Sequence, residues 1–158
     1  MEQGEEEMRV VLTTVNHADV KIDGKVVGAI KRGYLLLVGF TEGDDKAIVE
    51  KMVDKILALR VFPDEHGQIN ISLNDVNGDI LSISQFTLYG DVRKGRRPSF
   101  TDALRPHDAE ILYDYFNLLI EQKHGSVSTG VFGADMKVTS ENDGPFTLTL
   151  DSKELFPL

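Results

Sequence analysis

Residues 80–91 read ILSISQFTLYGD. Ile80, Leu81, Ile83, Phe86 and Leu88 follow the apolar pattern of a buried strand, which makes 80–88 the expected central strand of a sheet. Ser84, Gln85 and Thr87 interrupt that pattern with two hydroxyls and a carboxamide. A buried polar group left unpaired costs about 1–3 kcal/mol, so two readings are open. Either these groups satisfy one another and the backbone, as most buried polar groups do, or they line a pocket in which a ligand completes the pairing.

Upstream, the β-branched run RVVLTTV from Arg9 is a strand, and the alternation over 19–27 around Asp23-Gly24 is the pattern of a hairpin. Residues 34–40 form a nearly unbroken apolar run after Gly33, as in a strand covered on both faces. Asp44 or Asp45 caps a helix running to about Arg60, since Ile48, Met52, Ile56 and Leu59 recur on one face. Val61 and Phe62 lead into a turn-rich loop at 63–68, and a polar connection follows over 72–78.

Downstream, Arg93, Lys94, Arg96 and Arg97 surround Gly95 and form the densest positive charge of the chain. They read either as a solvated loop or as contacts to nucleic-acid phosphates, and their position just past the polar strand end favours phosphates. Pro106 suits the first turn of a second helix that carries Ile111, Tyr115 and Leu119 on one stripe, with Leu112 and Phe116 beside it, and Gly125 stops it. A short strand and glycine-rich turn follow at 127–133 and further strands at 136–139 and 146–150, while 152–158 is uninformative. The expected fold is α+β, a mostly antiparallel curled sheet or partial β-barrel with two outer helices in a single domain over 8–158. Residues 1–7 read as a disordered acidic extension.

The chain has 158 residues, 41% of them hydrophobic, enough for one core and too few for two ordinary domains. It has no cysteine, which excludes disulfides and thiolate metal sites. No stretch approaches the roughly 20 apolar residues of a membrane helix, so a soluble cytoplasmic protein without membrane contact is expected. A net charge of -9 argues against a general nucleic-acid binder, so any RNA contact must be local and no DNA partner is expected. Phosphate-loop, dinucleotide, zinc-protease and EF-hand patterns are missing, and no metal or cofactor is implied.

The four histidines, His17, His66, His107 and His124, are scattered. His124 reads as a dipole partner at a helix end, and none is favoured as a general base. A hydroxyl nucleophile normally needs such a base, and none lies near Ser84 or Thr87 in sequence. A site without one can still act by positioning and by backbone N–H groups aimed at an oxyanion, provided that the substrate is already activated. An aminoacyl ester on an RNA end is such a substrate, with its own 2′-hydroxyl beside a labile carbonyl. Gly144-Pro145 reads most simply as a trans turn, since few Xaa-Pro bonds are cis. In the cis form, two successive carbonyls could accept hydrogen bonds from one amino group.

SQFTLYGD at 84–91, GRRPSF at 95–100, TGVFGADM at 129–136 and NDGPFT at 142–147 together resemble the D-aminoacyl-tRNA deacylase family, also called D-tyrosyl-tRNA deacylase. The likeness runs from Met8 to about Asp151. It implies a homodimer that hydrolyses the ester between a D-amino acid and the tRNA 3′ adenosine, with its sites at the subunit interface. Ser84, Gln85, Phe86 and Thr87 would surround the adenosine and the scissile carbonyl, with the Phe86 N–H as oxyanion donor. Gly144 and Pro145, in the cis form, would reach into the partner's site and hold the substrate amine. Phe132, Met136 and Ala103 would wall the adenosine and aminoacyl region. Glycyl-tRNA, having no side chain to exclude, would be a secondary substrate.

The chain departs from the family pattern twice. Thr13-Thr14 stands where the family has Gln-Arg, whose arginine helps to hold the Gly-Pro loop. Phe146 replaces a small β-branched residue. Both departures keep open a related deacylase with relaxed chirality, and a non-catalytic RNA-binding module is the rival of another class.

Overall fold

The computed structural model describes residues 8–157, so the acidic extension expected at 1–7 lies outside the described residues. The chain opens with β1 (Arg9–Ile22), β2 (Lys25–Ile30) and β3 (Gly33–Gly39), then α1 (Lys46–Ala58) and the small strands β4 (Arg60–Pro63) and β5 (Ile69–Ser72). β6 (Asp79–Ser84), α2 (Pro106–His124), β7 (Ser128–Thr129), β8 (Lys137–Asp151) and the one-turn helix α3 (Ser152–Leu155) complete it.

The main sheet runs β2-β1-β3-β6-β7, with β8 along the other edge of β1. β1 pairs antiparallel with β2, β3 and β8, whereas β3–β6 and β6–β7 are parallel. The sheet curls until β2 meets β7: a Cβ on Gly28 would stand 2.8 Å from the Thr129 carbonyl oxygen, and Ser128 Oγ donates to the Ala29 carbonyl at 3.3 Å. One face carries Val10, Leu12, Tyr34, Leu36, Val38 and Ile80 against α1 and α2. The inside of the curl holds Val15, Ala18, Val20, Leu35, Leu81 and Ile83. β3 is therefore covered on both faces, and the expected curled sheet with two outer helices is the fold found.

Local chemistry accounts for the element ends. Asp23 and Gly24 both adopt positive φ, 51° and 79°, as a two-residue hairpin turn of this hand requires. The Asp45 carboxylate caps α1 by accepting from the Ile48 N–H at 3.0 Å. Gly125 closes α2 at φ 107°.

Four expectations are corrected. The strand expected over 80–88 ends at Ser84, and Phe86–Tyr89 is a 3₁₀ turn that leaves Phe86 57% exposed. Gly39 lets this turn fold back, and Tyr89 enters the core with its hydroxyl on the Gly39 carbonyl at 3.2 Å. The buried stripe of α2 is Ala109, Leu112, Tyr113, Phe116, Leu119 and Ile120, while Ile111 is 47% exposed and Tyr115 sits at the edge on Glu50. The helix turns this way because Tyr113 binds the buried strand, donating to the Ser82 carbonyl at 2.8 Å. The turn-rich stretch expected at 63–68 is the turn of a hairpin whose two strands, β4 and β5, were not expected, with Asp64 accepting from the His66 and Gln68 N–H groups. The strands expected at 136–139 and 146–150 are one strand, β8, which follows β1 through two register shifts.

Tyr34 is fully buried, stacks on Phe62 at 5.5 Å and has no partner for its hydroxyl among the described residues. Burial pushes its phenol far above the ordinary tyrosine range. Tyr34→Phe keeps the ring and removes an unsatisfied group, so stability to urea is expected to hold or to rise by about 1 kcal/mol. A loss of that size would mean that the hydroxyl is satisfied in solution.

Candidate active site

A cleft of about 610 Å³ opens where β6 ends. Ile83, Ser84 and Gln85 form its base with Val38 and Gly39 of β3, and the exposed ring of Phe86 stands at its mouth. Phe100, Ala103 and Arg105 make one wall, and Phe132, Asp135 and Met136 make the other. Six of the residues singled out from sequence thus meet in one place: Ser84, Gln85, Phe86, Ala103, Phe132 and Met136. Thr87 does not line the cleft, but its hydroxyl accepts from the Gln85 side-chain amide and fixes how that carboxamide points.

The turn at 86–89 is held from several directions. Gln85 N–H donates to the Val38 carbonyl at 2.8 Å, so the backbone leaves the sheet only after this bond. Arg9 donates from Nη1 to the Leu88 carbonyl at 3.0 Å, lies 4.8 Å over the Tyr89 ring and pairs with Asp151 at 3.4 Å. The first N–H groups of a helical turn have no acceptor within it, which leaves those of Phe86 and Thr87 without a partner inside the turn. The walls are equally anchored. Ala103 bridges Thr41, and Leu104 N–H donates to the Phe40 carbonyl at 3.0 Å. Phe132 leans on Tyr113 with ring centroids 6.1 Å apart. Gly130 leaves room for Met136, whose Sδ would stand 2.3 Å from a Cβ there.

None of the four histidines lines the cleft. His17 pairs with Glu141 at 3.1 Å, and His124 bonds the Gly78 carbonyl at 2.7 Å rather than serving only its own helix end. Asp135 is the one carboxylate among the lining residues; its side chain is 88% exposed and pairs with Lys137 at 3.0 Å. Among the described residues, no group of three or more histidine, aspartate and glutamate side chains gathers as metal ligands. The arrangement offers backbone donors, small polar groups and apolar walls, which suit a substrate that carries its own reactivity.

Arg93, Lys94, Arg96 and Arg97 are exposed on a loop closed by the Asp91–Ser99 bridge, beside the cleft but not lining it. Arg93 grips Asp91 through two contacts of 2.9 and 2.8 Å. The side-chain hydrogen bond from Arg93 is the main cause that holds the Asp91 carboxyl down at about 2, against the usual 3.8. Because that pKa is depressed, the contact is complete above pH 3.8 and is lost as pH falls through about 2. An NMR titration is expected to give that midpoint for Asp91, and Arg93→Gln is expected to move it up toward the ordinary value.

Gly144 and Pro145, joined by a cis bond, sit exposed within β8 and do not line the cleft of their own chain. The residues that depart from the family pattern are the ones that hold this loop. Thr14 Oγ1 donates to the Asp143 carbonyl at 3.0 Å, the Thr13 and Thr147 hydroxyls lie 3.3 Å apart, and Phe146 packs against the main core. Sequence reasoning missed Gly39, Phe100, Arg105 and Gly130. Gly39 matters through neighbours distant in sequence and Gly130 through how the chain turns back to place Met136, while Phe100 had a signal, an apolar residue ending the polar run GRRPSF.

A family model described as D-Tyr-tRNA(Tyr) deacylase matches residues 11–151. A D-aminoacyl-tRNA deacylase of Lactobacillus acidophilus is 56% identical over 144 residues, covering 91% of this chain and 99% of that protein. One of Thermosipho melanesiensis is 52% identical over 150 residues, covering 94% and 100%. A solved structure, the c-Myc DNA Unwinding Element Binding Protein, is 39% identical and superposes with a TM-score of 0.84, covering 90% of this chain and 97% of that one.

Proposed function

Since this chain belongs to the D-Tyr-tRNA(Tyr) deacylase family, we infer that its cleft receives the charged 3′ end of tRNA. The reaction is hydrolysis of D-aminoacyl-tRNA: water adds to the ester carbonyl and the bond to the ribose oxygen breaks, releasing the free D-amino acid and tRNA. Ser84, Gln85 and Phe86 surround the carbonyl, Thr87 orients the Gln85 carboxamide from behind, and the Phe86 N–H donates to the oxyanion. Ala103, Phe132 and Met136 wall the adenosine. Arg93, Lys94, Arg96 and Arg97 meet the phosphates.

The carrying observation is a built cleft with no histidine and with its one lining carboxylate turned to solvent. It favours a mechanism in which the 2′-hydroxyl of the terminal ribose assists proton transfer while the protein positions the ester. Thr87, outside the cleft lining and bonded to Gln85, acts as a positioning residue rather than a nucleophile.

The protein works as a homodimer in the cytoplasm. Gly144 and Pro145 of one subunit enter the partner's cleft, and their carbonyls accept from the substrate ammonium. With amine and carbonyl both fixed, an L side chain points into the Gly-Pro backbone while a D side chain points to solvent. Glycine escapes this exclusion, so glycyl-tRNA is a secondary substrate. The test is hydrolysis of D- and L-tyrosyl-tRNA, each with an intact and a 2′-deoxy terminal adenosine. Cleavage of the D ester alone, and only with the 2′-hydroxyl, is expected. Equal cleavage of both enantiomers would assign relaxed chirality, and no cleavage of either would leave a binding module.

A further inference from the structure

The mouth of the cleft carries two aromatic rings held in the open. Phe86 is 57% and Phe100 37% exposed, and their centroids lie 5.3 Å apart with planes at 69°. Phe100 is pinned in place. Its Cε1 would stand 3.1 Å from a Cβ on Gly90, so the ring packs where glycine leaves space, and Asp91 and Ser99 exchange backbone bonds of 2.7 and 2.8 Å immediately ahead of it. That same pair closes the loop carrying Arg93, Lys94, Arg96 and Arg97. A rigid exposed aromatic pair next to concentrated positive charge matches a nucleotide, which presents a flat π face and an anionic phosphate together. A chain with a net charge of -9 repels a polyanion over most of its surface, so this is where one can approach.

We propose that Phe86 and Phe100 form a stacking platform for the unpaired base immediately preceding the terminal adenosine. The proposal rests on the reading of the cleft as the adenosine site. With the adenosine inside, the chain must leave across the mouth, where the next base meets the rings and its phosphates meet the cations. Stacking reads a π face rather than a hydrogen-bonding edge, so the platform accepts a purine or a pyrimidine. Its role is to hold the acceptor end at the angle that presents the ester to the Ser84–Thr87 turn.

The test crosses protein and substrate changes. A short acceptor-end oligonucleotide charged with D-tyrosine is prepared with the preceding nucleotide intact or abasic, which removes the base and keeps the phosphate. The native protein is expected to lose roughly tenfold in kcat/KM on the abasic substrate. In Phe100→Leu that penalty is expected to fall below about threefold, whereas Phe100→Trp preserves it. An equal penalty in all three proteins, or none in the native one, would overturn the proposal. So would loss of self-association in Phe100→Leu with an undiminished abasic penalty, which would mark the patch as a protein contact. If the native protein cleaves no charged substrate, the cleft reading fails instead. Equilibrium binding of the uncharged intact and abasic oligonucleotides then decides the platform alone.

Discussion

Gly39→Val is expected to lower kcat/KM for D-tyrosyl-tRNA by about 100-fold, the scale of a 1 Å misplacement of reacting groups. A Cβ at this position would stand 2.9 Å from Tyr89 Cε2, 3.0 Å from the Gln85 carbonyl oxygen and 3.4 Å from Leu88 Cβ. Those atoms are the back of the turn that carries Gln85, Phe86 and Thr87. A branched side chain pushes that turn away from β3, and overpacking of this kind costs about 1–3 kcal/mol of stability. The protein should therefore remain folded by circular dichroism while the cleft loses its geometry. Gly39→Ala should fall between the two. Undiminished hydrolysis by Gly39→Val would show that the position of the turn does not set the rate.

Gly144→Ala acts on the opposite component. Gly144 has φ 121°, which L residues rarely adopt, and a Cβ there would stand 2.9 Å from the Phe146 amide nitrogen. Conformations of this kind cost about 1–3 kcal/mol, and the exposed loop relieves that by moving while Phe146 stays packed on the core. The carbonyls proposed to hold the substrate amine then shift. Hydrolysis of D-tyrosyl-tRNA is expected to fall at least tenfold, and the preference for D over L esters should narrow. The lock that resists this movement is the Thr14–Asp143 bond. Where the family pattern has arginine, this chain thus has a hydroxyl that reaches a backbone carbonyl of the loop.

What the sequence revealed of the fold follows from how local each signal is. Asp23-Gly24, Asp45, Pro106 and Gly125 decide their elements through their own backbone preferences, so the hairpin and both helices could be read directly. The end of β6 could not. Residues 85–88 continue a strand-like alternation, and what breaks it is Gly39 on another strand together with the Tyr89 hydroxyl. The face of α2 was equally hidden, because apolar residues surround much of that helix and only the Tyr113–Ser82 contact selects the buried side. Gly144-Pro145 reads as a turn ahead of the last strand because β1, whose register shifts carry β8 past it, lies far away in sequence. The cleft joins 84–86, 100–105 and 132–136, segments that no periodicity connects. The family resemblance supplied that connection without assigning Phe100 or Arg105 a role, because their roles depend on where the loop lands.

One subunit's cleft and the partner subunit's Gly144–Pro145 loop are proposed to make a single site. Mixing Gly39→Val and Gly144→Ala subunits under conditions of exchange tests it most directly. Each variant alone has no site with both parts intact. A mixed dimer pairs the sound cleft of one subunit with the sound loop of the other, so an equal mixture should recover about a quarter of native hydrolysis. Activity no higher than the mean of the two variants would contradict the account and return the site to a single chain.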